Sequence, residues 1–253
     1  MAGRALGSIL ISVAATSALA LTAGAGEVVK VATVDGRDAP VLRLTLDPEV
    51  GKSWSEVYVG RVAVRELGVQ RRVPDKSLTD SPILDVELSP ETGCSMVLVD
   101  LGPESVRGRV DAWRRTTRST KIVACNDTGK PSEVLAARRQ AGVMTMAKVG
   151  SRIEIRPAFS PTMMRPGADL PVRIYFDNVA QPGVQVEAHG PEGRRIVVTT
   201  DALGFATLRL DAAGAWVLRH RMRQQETDYL AELELEVPTV DFWRRLPISG
   251  GAK

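Results

Sequence analysis

Between residues 148 and 237 the chain switches between short β-branched runs and turn residues about seven times in roughly ninety residues, the cadence of a small antiparallel sandwich. The runs include "SRIEIRPAF", "LPVRIYFDN", "VQVEAHG", "RIVVTT", "FATLRL", "AWVLRHRM" and "TDYLAELELEV". Gly, Pro, Asn and Asp separate them, as in "RPGAD", "QPG", "PEGR" and "DALG". Runs of this length and spacing, bounded by turn residues, read as strands.

The stretch "TTDALGFATLRLDAAGAWVLRH", 199–220, is the most patterned part of this module. Asp201 to Gly204 predicts a reversal, with Gly204 free to take positive φ. Ala206, Leu208 and Leu210 alternate toward the core. The chain reverses again before Gly214, and Trp216 with Leu218 then fills the core. Asp201, Gly204, Gly214 and Trp216 are therefore read as the structural signature of this corner.

Strand parity also assigns the two histidines of the chain. Trp216, Leu218, His220 and Met222 share one face, expected inward, and Val217, Arg219 and Arg221 take the other. Val184, Val186 and Ala188 face inward, which turns Gln185, Glu187 and His189 outward. His189 and His220 then lie on opposite faces and cannot share one ion. Glu187 with His189 remains a weak surface pair, and His220 sits at the end of its inward face. These three are the candidate metal ligands, short of the three or four that a firm transition-metal site uses. Glu232, Glu234 and Glu236 alternate with Leu233, Leu235 and Val237, the pattern of a half-buried strand with a solvated acidic face.

Residues 27–102 also read as β, from "EVVKVATV" to "CSMVLVDLG". The last of these runs is almost wholly apolar, which predicts burial on both sides. The texture changes at Gly102. Val106, Val110 and Trp113 recur at helical spacing in a stretch running to about Ser119. A second helix is expected from Ser132 as cap to Gly142 as terminator. The fold class read from these patterns is mainly β: two antiparallel β-sandwich modules, 27–102 and 148–237, joined by a short helical segment at 103–147. A tail follows at 238–253.

The first 25 residues stand apart. Arg4 precedes an uncharged apolar run at 5–21, and Ala23-Gly24-Ala25 fits a small-x-small cleavage site. That order is the pattern of a secretory signal peptide, although the run also approaches the length of an uncleaved anchor. Export makes the protein periplasmic or secreted. It also places Cys94 and Cys125 in an oxidising compartment, where they are either a disulfide or two buried thiols. No second long apolar run exists, so stable membrane insertion is not expected once the signal is removed. The basic excess is confined to 107–156, with 12 basic and 4 acidic residues. Export and the scarcity of interleaved aromatic residues argue against nucleic acid as its partner.

The chain carries no Gly-x-Ser-x-Gly elbow, phosphate-binding glycine loop or His-Glu-x-x-His. It is expected to be a non-enzyme. The C-terminal module resembles a family of bacterial exported proteins of uncharacterised function with an Ig-like or transthyretin-like module. The residues that carry the likeness are Gly150, Glu154, Ile155 and Pro157, then Pro166-Gly167, Thr200-Asp201 with Gly204, Gly214 with Trp216 and Leu218, and Asp228-Tyr229. That family is often labelled the periplasmic component of cobalt or nickel uptake. Its members place a His close to the mature N-terminus, whereas this chain has none before His189. The resemblance therefore implies architecture and export and brings no ligand residues. The expected function is an exported, non-catalytic binding or adaptor protein with an envelope protein or polymer as partner. The alternative it implies is an accessory of uptake that binds nickel or cobalt.

Overall fold

The computed structural model describes residues 29–34, 41–46, 53–55, 59–66, 69–74, 77–89, 94–102, 115–125, 130–225 and 227–245. The expected signal segment at 1–25 lies outside the described residues. Seven strands form the N-terminal part: β1 (Val29–Val34), β2 (Val41–Leu46), β3 (Val59–Glu66), β4 (Val69–Arg72), β5 (Ile83–Glu87), β6 (Cys94–Leu101) and β7 (Arg115–Cys125). Helix α1 (Pro131–Met146) follows. Then come β8 (Ile153–Pro157), a 3₁₀ turn at Pro161–Met163, β9 (Ala168–Phe176), β10 (Val179–Ala180), β11 (Gln185–His189), β12 (Arg195–Thr199), β13 (Phe205–Leu210), β14 (Gly214–Gln224), β15 (Thr227–Val237) and helix α2 (Val240–Arg245).

The protein is mainly β, and its two halves share a wall. Eight strands form one sheet in the order β12-β11-β14-β15-β7-β6-β3-β4. Every neighbour in it is antiparallel except β15 and β7, which run parallel from Thr227↔Arg115 to Glu234↔Ile122. That parallel seam joins the N-terminal strands to the C-terminal ones. A three-stranded sheet, β1-β2-β5, packs on one face of the wall, burying Leu42, Leu44, Leu84 and Val86 against Val62, Val64, Val97, Val99 and Ile122. The sheet of β8, β9, β10 and β13 packs at the other end and on the opposite face, against Val186, Ala188, Trp216, Leu218, Leu233 and Leu235. Helix α1 covers that same second face beside it, with Ala137, Ala141 and Met144 on Met96, Leu98 and Val123.

Strand β6 is thus sandwiched: Val97, Val99 and Leu101 enter one core, and Cys94, Met96 and Leu98 the other. Its near-continuous apolar run has this cause. Cys94 and Cys125 lie directly opposite in the β6–β7 ladder and form a disulfide, with Cα atoms 4.1 Å apart.

Four local expectations are corrected. The helix read to about Ser119 gives way to strand from Arg115 on, and its earlier part, 103–114, lies outside the described residues. "TTRSTKIV" is rich in β-branched residues and is held between β6 and β15, a long-range placement that overrides local spacing. Second, Gly142 lies inside α1 and does not end it. A Cβ there would sit 1.7 Å from Ser160 Oγ, so glycine is needed for the loop before the 3₁₀ turn to lie on the helix. Third, the helix begins one residue ahead of Ser132, at Pro131, and the Lys130 N–H donates to Glu133 Oε2 at 3.2 Å. Fourth, the tail contains α2, anchored by buried Phe242 beneath the Arg138 guanidinium, 4.8 Å from its ring centroid.

The corner at 199–220 forms as its residues dictate. Asp201 Oδ1 accepts the N–H groups of Leu203 at 2.8 Å and Phe205 at 2.9 Å, and Gly204 adopts φ +81°. Trp216 is fully buried and donates Nε1–H to the Ala212 carbonyl at 3.0 Å. A Cβ on Gly190 would stand 2.7 Å from the Trp216 ring, so the ring lies directly against backbone.

Candidate functional site

The face of the wall that carries the N-terminal core continues onto β15, β14, β11 and β12, where it turns polar. Strand register aligns one transverse row of side chains across it: Val197, Glu187, Arg219, Glu232, Thr120, Val99 and Val62. The row starts at the exposed edge and ends in the N-terminal core. At its centre Arg219 Nε donates to Glu232 Oε1 at 2.7 Å, with 5% and 2% of the side chains exposed. Thr120 Oγ1 donates to the other carboxylate oxygen at 3.3 Å. Burial of such a pair costs several kcal/mol per ion unless each charge is met by the other and by further hydrogen bonds. Glu232 meets that requirement from two strands.

Toward the edge the row opens to solvent. Glu187 Oε2 lies 3.0 Å from His189 Nε2, and Arg195 Nη2 lies 3.2 Å from Glu187 Oε1. Glu187 and His189 are two residues apart on β11, so they share a face, and Arg195 is brought opposite His189 by the β11–β12 register. Burial alone would raise the Glu187 carboxyl, but hydrogen bonds from Arg195 and His189 and their charges outweigh it and hold the group below its ordinary pKa. Glu187 is therefore an ionised acceptor with both oxygens engaged. It is poorly suited to act as a general base, whose pKa should lie near the working pH.

The structure places the two histidines on opposite faces of the wall. His220 is 1% exposed and looks into the C-terminal core, where its Nδ1–H donates to the Gln185 carbonyl at 2.7 Å. Burial pushes its pKa below the ordinary value, partly opposed by that hydrogen bond, so the ring is neutral at neutral pH. Its Nε2 is buried without a hydrogen-bond partner. Of the candidate ligands only Glu187 and His189 come together. Among the described residues no group of three or more His, Cys, Asp or Glu is placed to hold a metal ion.

Two expectations about this face are corrected. Arg219 was expected outside and is 4% exposed; Glu232 and Glu234 were expected on a solvated face and are 3% and 7% exposed. Glu232 and Glu234 are not solvated, because the parallel neighbour β7 extends the sheet past them and supplies Thr120, whereas Glu236, beyond that pairing, keeps 33% of its side chain exposed. Arg195, Arg219 and Thr120 belong to the site and were missed. They come from three other strands, and no local spacing links them.

A second buried ionic group ties the halves on the opposite face. Glu154 Oε1 lies 2.6 Å from Lys121 Nζ and Oε2 lies 3.0 Å from Arg156 Nη2, and Oε1 also takes the Val149 N–H at 3.2 Å. Burial lowers the Lys121 pKa, against the pull of Glu154. Arg156 stacks over Tyr175 at 4.1 Å. Glu154, one of the residues that carry the family resemblance, thus joins β8 to β7.

Among the described residues no helix is long and apolar enough to cross a membrane. Comparison with solved structures finds similarity to the D0-D1 domain of Intimin, at 13% identity, with 79% of this chain and 91% of that chain covered and a TM-score of 0.21. No curated protein matches the chain. The family model that matches is described as a domain of unknown function (DUF4198), over residues 114–224, from the end of the undescribed stretch before β7 through β14.

Proposed function

We propose that the chain is an exported, non-catalytic binding or adaptor protein of the cell envelope, and that its contact surface is the open polar half of the wall. The observation that carries this reading is the half-exposed Glu187–His189–Arg195 cluster, seated one strand away from the buried Arg219–Glu232 pair. Its side chains are held in place before any partner arrives, which lowers the ordering cost of binding. Its charges satisfy one another and leave no activated nucleophile or base. Such a surface suits hydrogen bonding to a protein or polymer of the envelope. The test is capture from envelope extracts with the wild-type chain and with Glu187→Ala/His189→Ala. A partner retained by the first and lost by the second supports the reading; equal capture by both, or none, defeats it.

A role in nickel or cobalt uptake has one observation on its side: His189 and Glu187 present a nitrogen and an oxygen 3.0 Å apart on an accessible face. Arg195 competes for the same carboxylate. Calorimetric titration with each ion decides it, since binding that survives His189→Ala plus His220→Ala removes the histidine-based version.

A further inference from the structure

The face of the wall opposite the polar cluster carries α1, and around α1 the surface changes character. Val143 is 63% exposed on the helix, Phe159 is 61% exposed in the loop before the 3₁₀ turn, and Val240 is 53% exposed on α2. These tips belong to elements in direct contact. The loop lies on α1 at Gly142 and Ser160, Thr162 Oγ1 donates to the Arg138 carbonyl at 2.6 Å, and Arg138 stacks on Phe242. Arg165, just past the turn, stacks over half-buried Trp243 of α2 at 5.3 Å, which closes the patch.

The cations around these tips are largely uncompensated. Arg139, one helical turn before Val143, is exposed and has no ion pair among the described residues. Arg165 is exposed, stacks on the Trp243 ring and has no ion pair among the described residues. Among the described residues Arg245 contacts a backbone carbonyl, Arg244 has the Asp241 carboxylate at 3.1 Å, and the buried Arg138 has that of Glu236 at 3.6 Å. Exposed apolar tips stand here among guanidinium groups. They match the interface of an anionic bilayer, where the tips enter the headgroup boundary, Trp sits at its level and each arginine meets phosphate.

We infer that the corner formed by α1, the 159–165 loop and α2 attaches peripherally to an anionic phospholipid surface. This goes beyond the envelope-binding reading and does not depend on it. The two surfaces lie on opposite faces of one sheet, so a chain attached here keeps Glu187 and His189 turned away from the lipid.

The test is co-sedimentation of the full chain with phosphatidylcholine vesicles and with vesicles that also contain phosphatidylglycerol. Arg4 and the apolar stretch at 5–21 are the same in the wild type and the variants, so the loss on substitution at the corner isolates its contribution. Preferential binding to the anionic vesicles is expected. It should weaken by roughly tenfold or more in Arg139→Gln/Arg165→Gln and in Val143→Ser/Phe159→Ser, and on raising the salt. All four side chains are at the surface or in a loop, and an unchanged unfolding midpoint confirms that each variant folds. Equal binding to the two vesicle types, unaltered binding by the folded variants, or capture of an acidic protein with no vesicle binding each overturns the inference.

Discussion

Arg219 and Glu232 form a buried ion pair at 2.7 Å on neighbouring strands, and Thr120, one strand farther, donates to the same carboxylate. The three residues span β14, β15 and β7, so the pair sits at the parallel seam that makes two halves into one sheet. Removing one member leaves the other charge buried. Glu232→Leu or Arg219→Met should each cost about 3–5 kcal/mol. The double variant Arg219→Met/Glu232→Leu should recover much of that loss. Denaturant unfolding of the four proteins as a double-mutant cycle measures it, and single losses that simply add would show that the pair is not coupled.

Gly190 has an ordinary backbone conformation, with φ −121°, so its need for glycine is purely one of space. The Trp216 ring stands 2.7 Å from the position a Cβ would take. Gly190→Ala should therefore destabilise by roughly 1–3 kcal/mol through overpacking. Trp216→Ala should cost about 3–5 kcal/mol through the cavity it leaves. In Gly190→Ala/Trp216→Phe the smaller ring should relieve part of the clash. Unfolding midpoints by fluorescence or circular dichroism check the order, and a neutral Gly190→Ala would mean that the ring lies elsewhere.

His220 titrates against the fold. In the unfolded chain its pKa is about 6.5, whereas burial lowers it in the folded state. Between the two values the unfolded state binds more protons, so stability rises with pH there. The penalty therefore grows as pH falls below about 6.5, at up to about 1.4 kcal/mol per pH unit, and levels off below the folded pKa. Glu187 contributes in the same sense but in a lower pH window and from a partly exposed position: its stabilisation is present at neutral pH and is lost only as pH falls through its depressed carboxyl pKa. Unfolding midpoints from pH 7.5 down to pH 5, for wild type and His220→Gln, separate the two. The upper part of the slope should vanish in the variant.

The faces of individual strands could be read from the chain, and what covered them could not. Alternation placed Trp216, Leu218, Val186 and Ala188 in the core, and all are fully buried. It also grouped Glu187 with His189. The same parity put Arg219 and Glu232 on a second face correctly, yet gave no means of knowing that β7 would extend the sheet beside them. A parallel pairing between residues more than a hundred positions apart leaves no local trace. Gly142 misled for a related reason: a glycine that stops a helix and one that admits a neighbouring loop look alike until Ser160 is placed. Arg195 reaches Glu187 only through hairpin register, so the candidate site appeared as a pair and proved to be a cluster.

The Cys94–Cys125 bridge closes a span of 31 residues at the end of the β6–β7 ladder, next to the face where α1 packs. On the chain-entropy model such a loop contributes about 3 kcal/mol, by restricting the unfolded chain. Seven further register pairs hold β6 to β7, from Ser95↔Ala124 to Leu101↔Arg118. Those ladder pairs do not depend on the sulfurs. Cys94→Ala/Cys125→Ala should therefore keep its strand content by far-ultraviolet circular dichroism while its unfolding midpoint drops. Reductant should lower the wild-type midpoint by the same amount and leave the variant unmoved. A wild type indifferent to reductant would show that the two thiols are unpaired in solution.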